Sequence, residues 1–171
     1  MNGRGRDIFR FPNPVNELAA RTVAGGVVLM VVLGFALGTP WVLVPLVYGF
    51  WARVAAGPTF SPLGQLATRV VVPALALEPR LTPGPPKRFA QAMGMILSTS
   101  ALVVWVTAGW GVARWVLVPL GAAASAEAAL GFCLGCKIFG LLIRAGVVPA
   151  AVCADCSDLG RRHPELAQRP A

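Results

Sequence analysis

Residues 22–52, TVAGGVVLMVVLGFALGTPWVLVPLVYGFWA, lie between Arg21 and Arg53 and contain no charged residue. A helix needs about 20 apolar residues to cross a bilayer core, so this run is too long for one span. Gly38-Thr39-Pro40 interrupts it with a strong turn signal. Pro40 also suits the first turn of a following helix, where its missing N–H costs nothing. The run therefore predicts two spans, 19–37 and 40–55, joined by a very short loop. A second charge-free run separates Arg88 from Arg114 and predicts a third span, 88–108, ended by Gly109-Trp110-Gly111. A fourth helix is expected over 112–145. Its roughly 34 residues would measure about 51 Å at 1.5 Å per residue, against a core of about 30 Å. It must bend or project into water, and Pro119 and Gly121 are the expected bend points.

Composition agrees with this pattern. Of 171 residues, 56% are hydrophobic and 13% charged, whereas soluble domains carry about 25% charged residues. That excludes a soluble single domain, and the apolar content excludes disorder. The expected class is all-α: an integral membrane bundle of four transmembrane helices, 19–146, between an N-terminal tail, 1–18, and a cysteine-containing tail, 147–171. A basic start followed by an apolar run also fits a signal peptide. A second apolar helix follows at once, so the first is expected to be retained.

Orientation follows from the basic residues. Arg4, Arg6, Arg10 and Arg21 lie in or near the first tail, and Arg53, Arg69, Arg80, Lys87 and Arg88 in or beside the middle loop. Lys137, Arg144, Arg161, Arg162 and Arg169 follow at the other end, while the remaining two loops contribute only Arg114. The positive-inside bias places both termini in the cytoplasm, with the protein in the inner (plasma) membrane. The +8 formal charge then faces anionic headgroups. No aromatic-interleaved basic patch points to nucleic acid.

In the middle loop, Ser61-Pro62 can cap and start a helix. The mostly apolar segment 61–77, with Gln65 and Arg69 four apart, is expected to lie in the cytoplasmic interface. A packed loop without membrane contact is the alternative. Pro73 should break the helix, and Pro79, Pro83, Pro85 and Pro86 should stiffen the connector that follows.

All four cysteines fall in two C-x-x-C pairs, Cys133/Cys136 and Cys153/Cys156, with sixteen residues between them. That spacing fits a four-thiolate zinc site. A cytoplasmic location argues against permanent disulfides. Metal binding, reversible redox or sulfur chemistry, and inert thiols all stay open. On an unbroken fourth helix Cys133 and Cys136 would share one face, and Cys133 would lack the helix N-terminus that activates many reactive thiols. Lys137 could favour its thiolate instead.

Glu127 is the one acid within an expected span, and such residues are functional candidates. It could relay protons to the thiols, pair with Arg53 or Arg88, or hydrogen-bond to Ser98, Thr99, Ser100 or Thr107. Glu17 and Arg21, four apart, are expected to pair with each other. Gly34/Gly38, Gly94/Ser98 and Gly131/Gly135 fit small-xxx-small helix packing, and the last would bring another backbone close to Cys133. The single histidine, His163, is expected to be solvated. Phosphate-loop, Ser/His/Asp and zinc-hydrolase motifs are absent from the sequence, which leans against a conventional enzyme.

Several ordered stretches carry a resemblance: Pro14-Val15-Asn16-Glu17 with Arg21, Gly57-Pro58-Thr59-Phe60-Ser61-Pro62, Pro86-Lys87-Arg88-Phe89-Ala90, and Gly131-Phe132-Cys133-Leu134-Gly135-Cys136. In these the chain resembles bacterial membrane proteins grouped as domain of unknown function 4395, from about Pro14 to Arg144. The resemblance implies a four-helix membrane protein with the first cysteine pair as a family feature. It also implies the company of thioredoxin-like and rhodanese-like sulfurtransferase proteins, and no established activity.

Three readings result. The first is a cytoplasm-facing dithiol protein that exchanges electrons or sulfane sulfur with a soluble thioredoxin-like or sulfurtransferase partner. Cys133 and Cys136 react, Glu127 assists, Cys153 and Cys156 form a mobile second pair, and no cofactor is needed. The second is a structural protein with zinc on all four cysteines. The third is a small transporter for a sulfur-containing solute, which a helix-lined cavity reaching Glu127 would favour.

Overall fold

The structure, a computed structural model, describes residues 14–75 and 81–149. It is all-α apart from one two-residue strand pair. Asn16 accepts the Leu18 N–H at 2.9 Å and caps α1, Glu17–Leu37, which ends at Gly38 in the left-handed region (φ 60°). A 3-10 turn, Pro40–Val42, leads into α2, Leu43–Ala56. Short helices α3, Pro62–Leu66, and α4, Val72–Leu75, flank a π turn at Ala67–Val71. Then come α5, Gly84–Ala108, α6, Trp110–Leu130, and α7, Leu134–Arg144.

Two of these helices, α1 and α5, are individually long and apolar enough to cross a membrane, and α6 with α7 would make a third if taken as one broken span. Large apolar side chains point outward, among them Leu29, Val32, Ile96, Val103 and Trp115. Soluble monomers rarely expose contiguous apolar patches of more than a few hundred Å². The interior is built from smaller groups around Val27, Val31, Leu43, Leu46, Phe50 and Leu117. Helix α1 packs on α6, α6 on α5, and α5 on both α2 and α7.

The expected fourth helix is broken, and not where Pro119 or Gly121 suggested. Helix α6 runs through Pro119, and the chain turns by 99° between α6 and α7. Gly131 provides the turn with φ 67°, a conformation that favours glycine. A continuing helix would pair the Ala128 and Ala129 carbonyls with the N–H groups of residues 132 and 133. Arg21 takes both instead. Its Nε and Nη2 donate to Ala128 O at 3.2 and 3.1 Å, and Nη2 also donates to Ala129 O at 2.8 Å. The expected Glu17–Arg21 ion pair is therefore replaced by an arginine cap on another helix.

The middle segment also departs from expectation at Pro73, where helix continues through the residue. The preceding π turn, closed by the Val72 N–H on Ala67 O, widens the backbone just where a proline would crowd it. Ser61 does cap α3, accepting the Gly64 N–H at 3.2 Å. The segment packs on α1 through Leu63, Ala67 and Val72. Val15–Asn16 pairs antiparallel with Leu81–Thr82, a contact without a pattern in so few residues.

The two ends of the bundle differ in chemistry. At one, Trp41 meets Trp105 edge-on at 6.0 Å, and Phe35 meets Trp115 at 6.1 Å. At the other lie the N-termini of α1 and α5, the C-termini of α2 and α6, and most of the charge. Arg53, 5% exposed, donates to Gln91 Oε1 at 2.7 Å and to Ser61 Oγ at 3.0 Å, and stacks on Phe50.

Candidate functional site

The inward stripe of α5 runs Lys87, Gly94, Ser98, Ala101, and that of α6 runs Ala113, Leu117, Leu120, Ala124. Continued by three residues, the second stripe arrives at Glu127. These registers bring Lys87 Nζ to 2.5 Å from Glu127 Oε1, with side chains only 7% and 14% exposed. Glu127 thus pairs with Lys87, while Arg53 donates to Gln91 and Ser61 and Arg88 donates to Val54 O at 3.1 Å. Ser98 and Thr107 instead donate within their own helix, to Met95 O and Val103 O. Thr99 accepts the indole N–H of Trp51 at 3.1 Å.

Beside this pair stand the thiols. Because the helix breaks at Gly131, Cys133 does not lie late in a helix as the sequence implied. It is the N-cap of α7, in extended backbone (φ −87°, ψ 102°), and Cys136 lies in the first turn. That places Cys133 where backbone N–H groups and the helix dipole favour negative charge. Gly135 allows the approach. A Cβ there would lie 2.5 Å from Ala90 Cβ and 2.6 Å from its Cα, so α7 starts against the backbone of α5, three residues from Lys87. The expected helix-packing pair Gly131/Gly135 is split by the break: only Gly135 meets another backbone, while Gly131 faces the Glu17 and Arg21 side chains. Phe139 and Phe89 extend the contact, with ring centroids 5.5 Å apart.

The two thiols are unequal. Cys136 hydrogen-bonds to Cys133, and this is the main reason that the Cys133 pKa falls from an ordinary 9.0 to about 7; the Lys87 cation helps, while burial and Glu127 oppose it. The same hydrogen bond, with burial added, pushes the Cys136 thiol up. Lys87 is the cation that lowers the Cys133 pKa, while the Lys137 ammonium lies 5.8 Å from the Phe132 ring centre and borders the same cleft.

Cys133 borders two cavities. One is an open cleft of about 470 Å³ at the polar end, lined by Glu17, Pro86, Lys87, Cys136 and Lys137 among others. The other, about 170 Å³, is a half-open cavity between α1, α2, α5, α6 and α7; it is walled mainly by apolar side chains and reached by Gln91 and Glu127. The helix-lined cavity set as the mark of a transporter is thus present.

Cys153, Cys156 and His163 lie outside the described residues, as do the tails beyond residues 14 and 149. Among the described residues, no group of three or more metal-ligating side chains comes together. Lys87 and Gln91 were not recognised from sequence as site residues. The signal was the spacing of Lys87, Gln91, Gly94, Ser98 and Ala101, which follows one helix face.

The profile of the family described as "Domain of unknown function (DUF4395)" matches residues 15–144. The chain belongs to the DUF4395 family. No curated protein and no solved structure matches it. The matched region ends with α7, so it holds Cys133 and Cys136 and leaves the second pair outside.

Proposed function

We propose that this DUF4395 protein is a membrane-bound dithiol that exchanges electrons with a soluble thioredoxin-like partner through Cys133 and Cys136. The observation that carries the reading is the position of Cys133 at the N-cap of α7, with Cys136 in the first turn and the thiol opening on the cleft beside Lys87. In the exchange, the Cys133 thiolate attacks a sulfur of the partner's disulfide. A mixed disulfide forms, and the partner's second sulfur leaves as a thiolate. Cys136 then gives up its proton and attacks Cys133 Sγ, releasing the partner as a dithiol. Two electrons have passed to the partner, and the reverse sequence reduces the pair. A persulfide on Cys133 would resolve by the same second step, releasing hydrogen sulfide.

In this reading α1, α2, α5 and α6 cross the membrane of a bacterial cell, and α7 lies across the cytoplasmic end. The helical segment from α3 to α4 lies in the interface. The support is the charge distribution: Arg21, Arg53, Arg69, Lys87 and Arg88 gather at the thiol end and Arg114 at the other. The buried Lys87–Glu127 pair suits this placement, because intramembrane charges are tolerated when paired.

Transport of a sulfur-containing solute is the second reading. The inner cavity reaches Glu127, but its walls are mostly apolar and the carboxylate is already neutralised by Lys87. A four-cysteine zinc site would require the tail to fold back onto α7.

The decisive experiment is trapping. Full-length protein with Cys136→Ala, given an oxidised thioredoxin-like protein, should accumulate a mixed disulfide on Cys133, and Cys133→Ala should accumulate none. One tightly bound zinc per purified chain, lost on Cys153→Ser, would replace this proposal with the structural one.

A further inference from the structure

Cys133 lines both the polar cleft and the inner cavity, which share no other lining residue. A thiol that serves only a water-soluble partner has no need of a second, apolar face. The inner cavity, about 170 Å³, is walled by Val23, Ala24, Val27, Leu97 and Leu120. A cavity of about 150 Å³ lined by such residues accepts a benzene ring. At its polar end stand the Cys133 thiol and the Glu127 carboxylate, with the Lys87 ammonium behind the carboxylate. The lipid-soluble compounds that match this outline, one planar ring that accepts two electrons and two protons, are quinones.

We infer that the cavity between α1, α5 and α6 is a quinone-ring site, and that Cys133 and Cys136 pass two electrons to the quinone. This rests on the dithiol reading and names its membrane-side substrate. The Cys133 thiolate adds to a ring carbon, and the displaced ring electrons move onto a carbonyl oxygen, which takes a proton. Cys136 then loses its proton and attacks Cys133 Sγ. The S–S bond forms, the S–C bond breaks, and its electron pair returns to the ring, where the second oxygen is protonated. Two thiols and a quinone become a disulfide and a hydroquinone. Glu127 acts as a positioning residue for the protons, since it borders the cavity while its partner Lys87 borders the cleft. The disulfide is reduced again from the cleft side by the soluble partner.

The test uses full-length protein with Cys153→Ser and Cys156→Ser, reduced and placed in lipid nanodiscs. Decylubiquinone is added under argon, and both hydroquinone and remaining thiols are counted. One hydroquinone should appear for each pair of thiols lost. Cys136→Ala should yield no hydroquinone and should keep its Cys133 thiol, because addition to a fully substituted quinone ring reverses when no second thiol is present to resolve it. Ala123→Phe, which fills the cavity, should slow quinone reduction at least ten-fold while leaving the reaction of Cys133 with a small soluble disulfide unchanged. If Ala123→Phe also loses the soluble reaction it is misfolded, and Leu97→Trp is then judged by the same two measurements. Equal quinone rates in the filled and parent proteins would overturn the site. So would normal exchange with the soluble disulfide and no quinone reduction, a result that leaves the dithiol reading standing. Thiols inert to both reagents would overturn the two together.

Discussion

Replacing Cys136 with alanine should change the pH profile of Cys133 in a way that a simple loss of activity would not. The hydrogen bond from Cys136 is the largest cause holding the Cys133 pKa near 7 instead of 9.0. Without it the pKa rises at least to the ordinary value, because burial and Glu127, which raise it, outrank Lys87 and the backbone, which lower it; the ordinary value gives the smallest change expected. At pH 7 the thiolate fraction would then fall from about one half to about 1%, roughly a 50-fold loss. A more basic thiolate is also a better nucleophile, with a Brønsted slope of about 0.4–0.5, which returns roughly eight-fold over two pH units. The net expectation is a rate about six-fold lower at pH 7. Above pH 9, where both proteins are largely thiolate, the variant should be several-fold faster. The assay is reaction of Cys133 with a small aromatic disulfide from pH 5.5 to 10, in protein carrying Cys153→Ser and Cys156→Ser and read by peptide-resolved mass spectrometry. Cys136→Ser, which keeps a hydroxyl donor, should retain most of the parent profile. Parallel curves that never cross would refute the claim that Cys136 tunes Cys133.

The buried ion pair predicts strong coupling. Lys87→Met and Glu127→Gln should each cost about 3–5 kcal/mol, because each strands the other partner; the double variant should cost clearly less than their sum in detergent unfolding titrations. Additive costs would mean that the pair is not coupled. Gly135→Ala forces a Cβ against the α5 backbone and should cost about 1–3 kcal/mol, raising alkylation of Phe139→Cys by a soluble reagent as α7 lifts. Unchanged stability and labelling would show that α7 does not rest on Ala90. For orientation, Thr39→Cys in the short turn should react with an impermeant maleimide from outside the cell, and a cysteine at residue 2 only after lysis.

The helices themselves were legible because the charge-free runs are long and the Gly38 and Gly109 turns are sharp. Gly135 does meet a close backbone, but the spacing from Gly131 that suggested it spans the break between α6 and α7. The site was less legible, since its geometry depends on groups distant in sequence. An apolar run continues past Leu130 into Ile138 and Phe139, so periodicity alone sees one helix; the break needs Gly131 and a donor from α1. Lys87 read as one more interfacial cation because its partner lies on another helix, forty residues on. Arg21 read as a neighbour of Glu17 because spacing four favours that pairing, whereas the exposed α6 carbonyls were a stronger attraction for a guanidinium.

That arginine cap has a wider consequence. Two carbonyls at the end of α6 will accept either the amides of their own chain or the fork of Arg21. In the first case the polypeptide runs straight and Cys133 is an ordinary thiol in mid-helix. In the second the chain turns aside, and the same sulfur gains a helix N-terminus, a hydrogen-bonding thiol and a nearby ammonium. The helix N-terminus under a cysteine near the end of the family region is thus held, together with the Gly131 turn, by a side chain near its beginning.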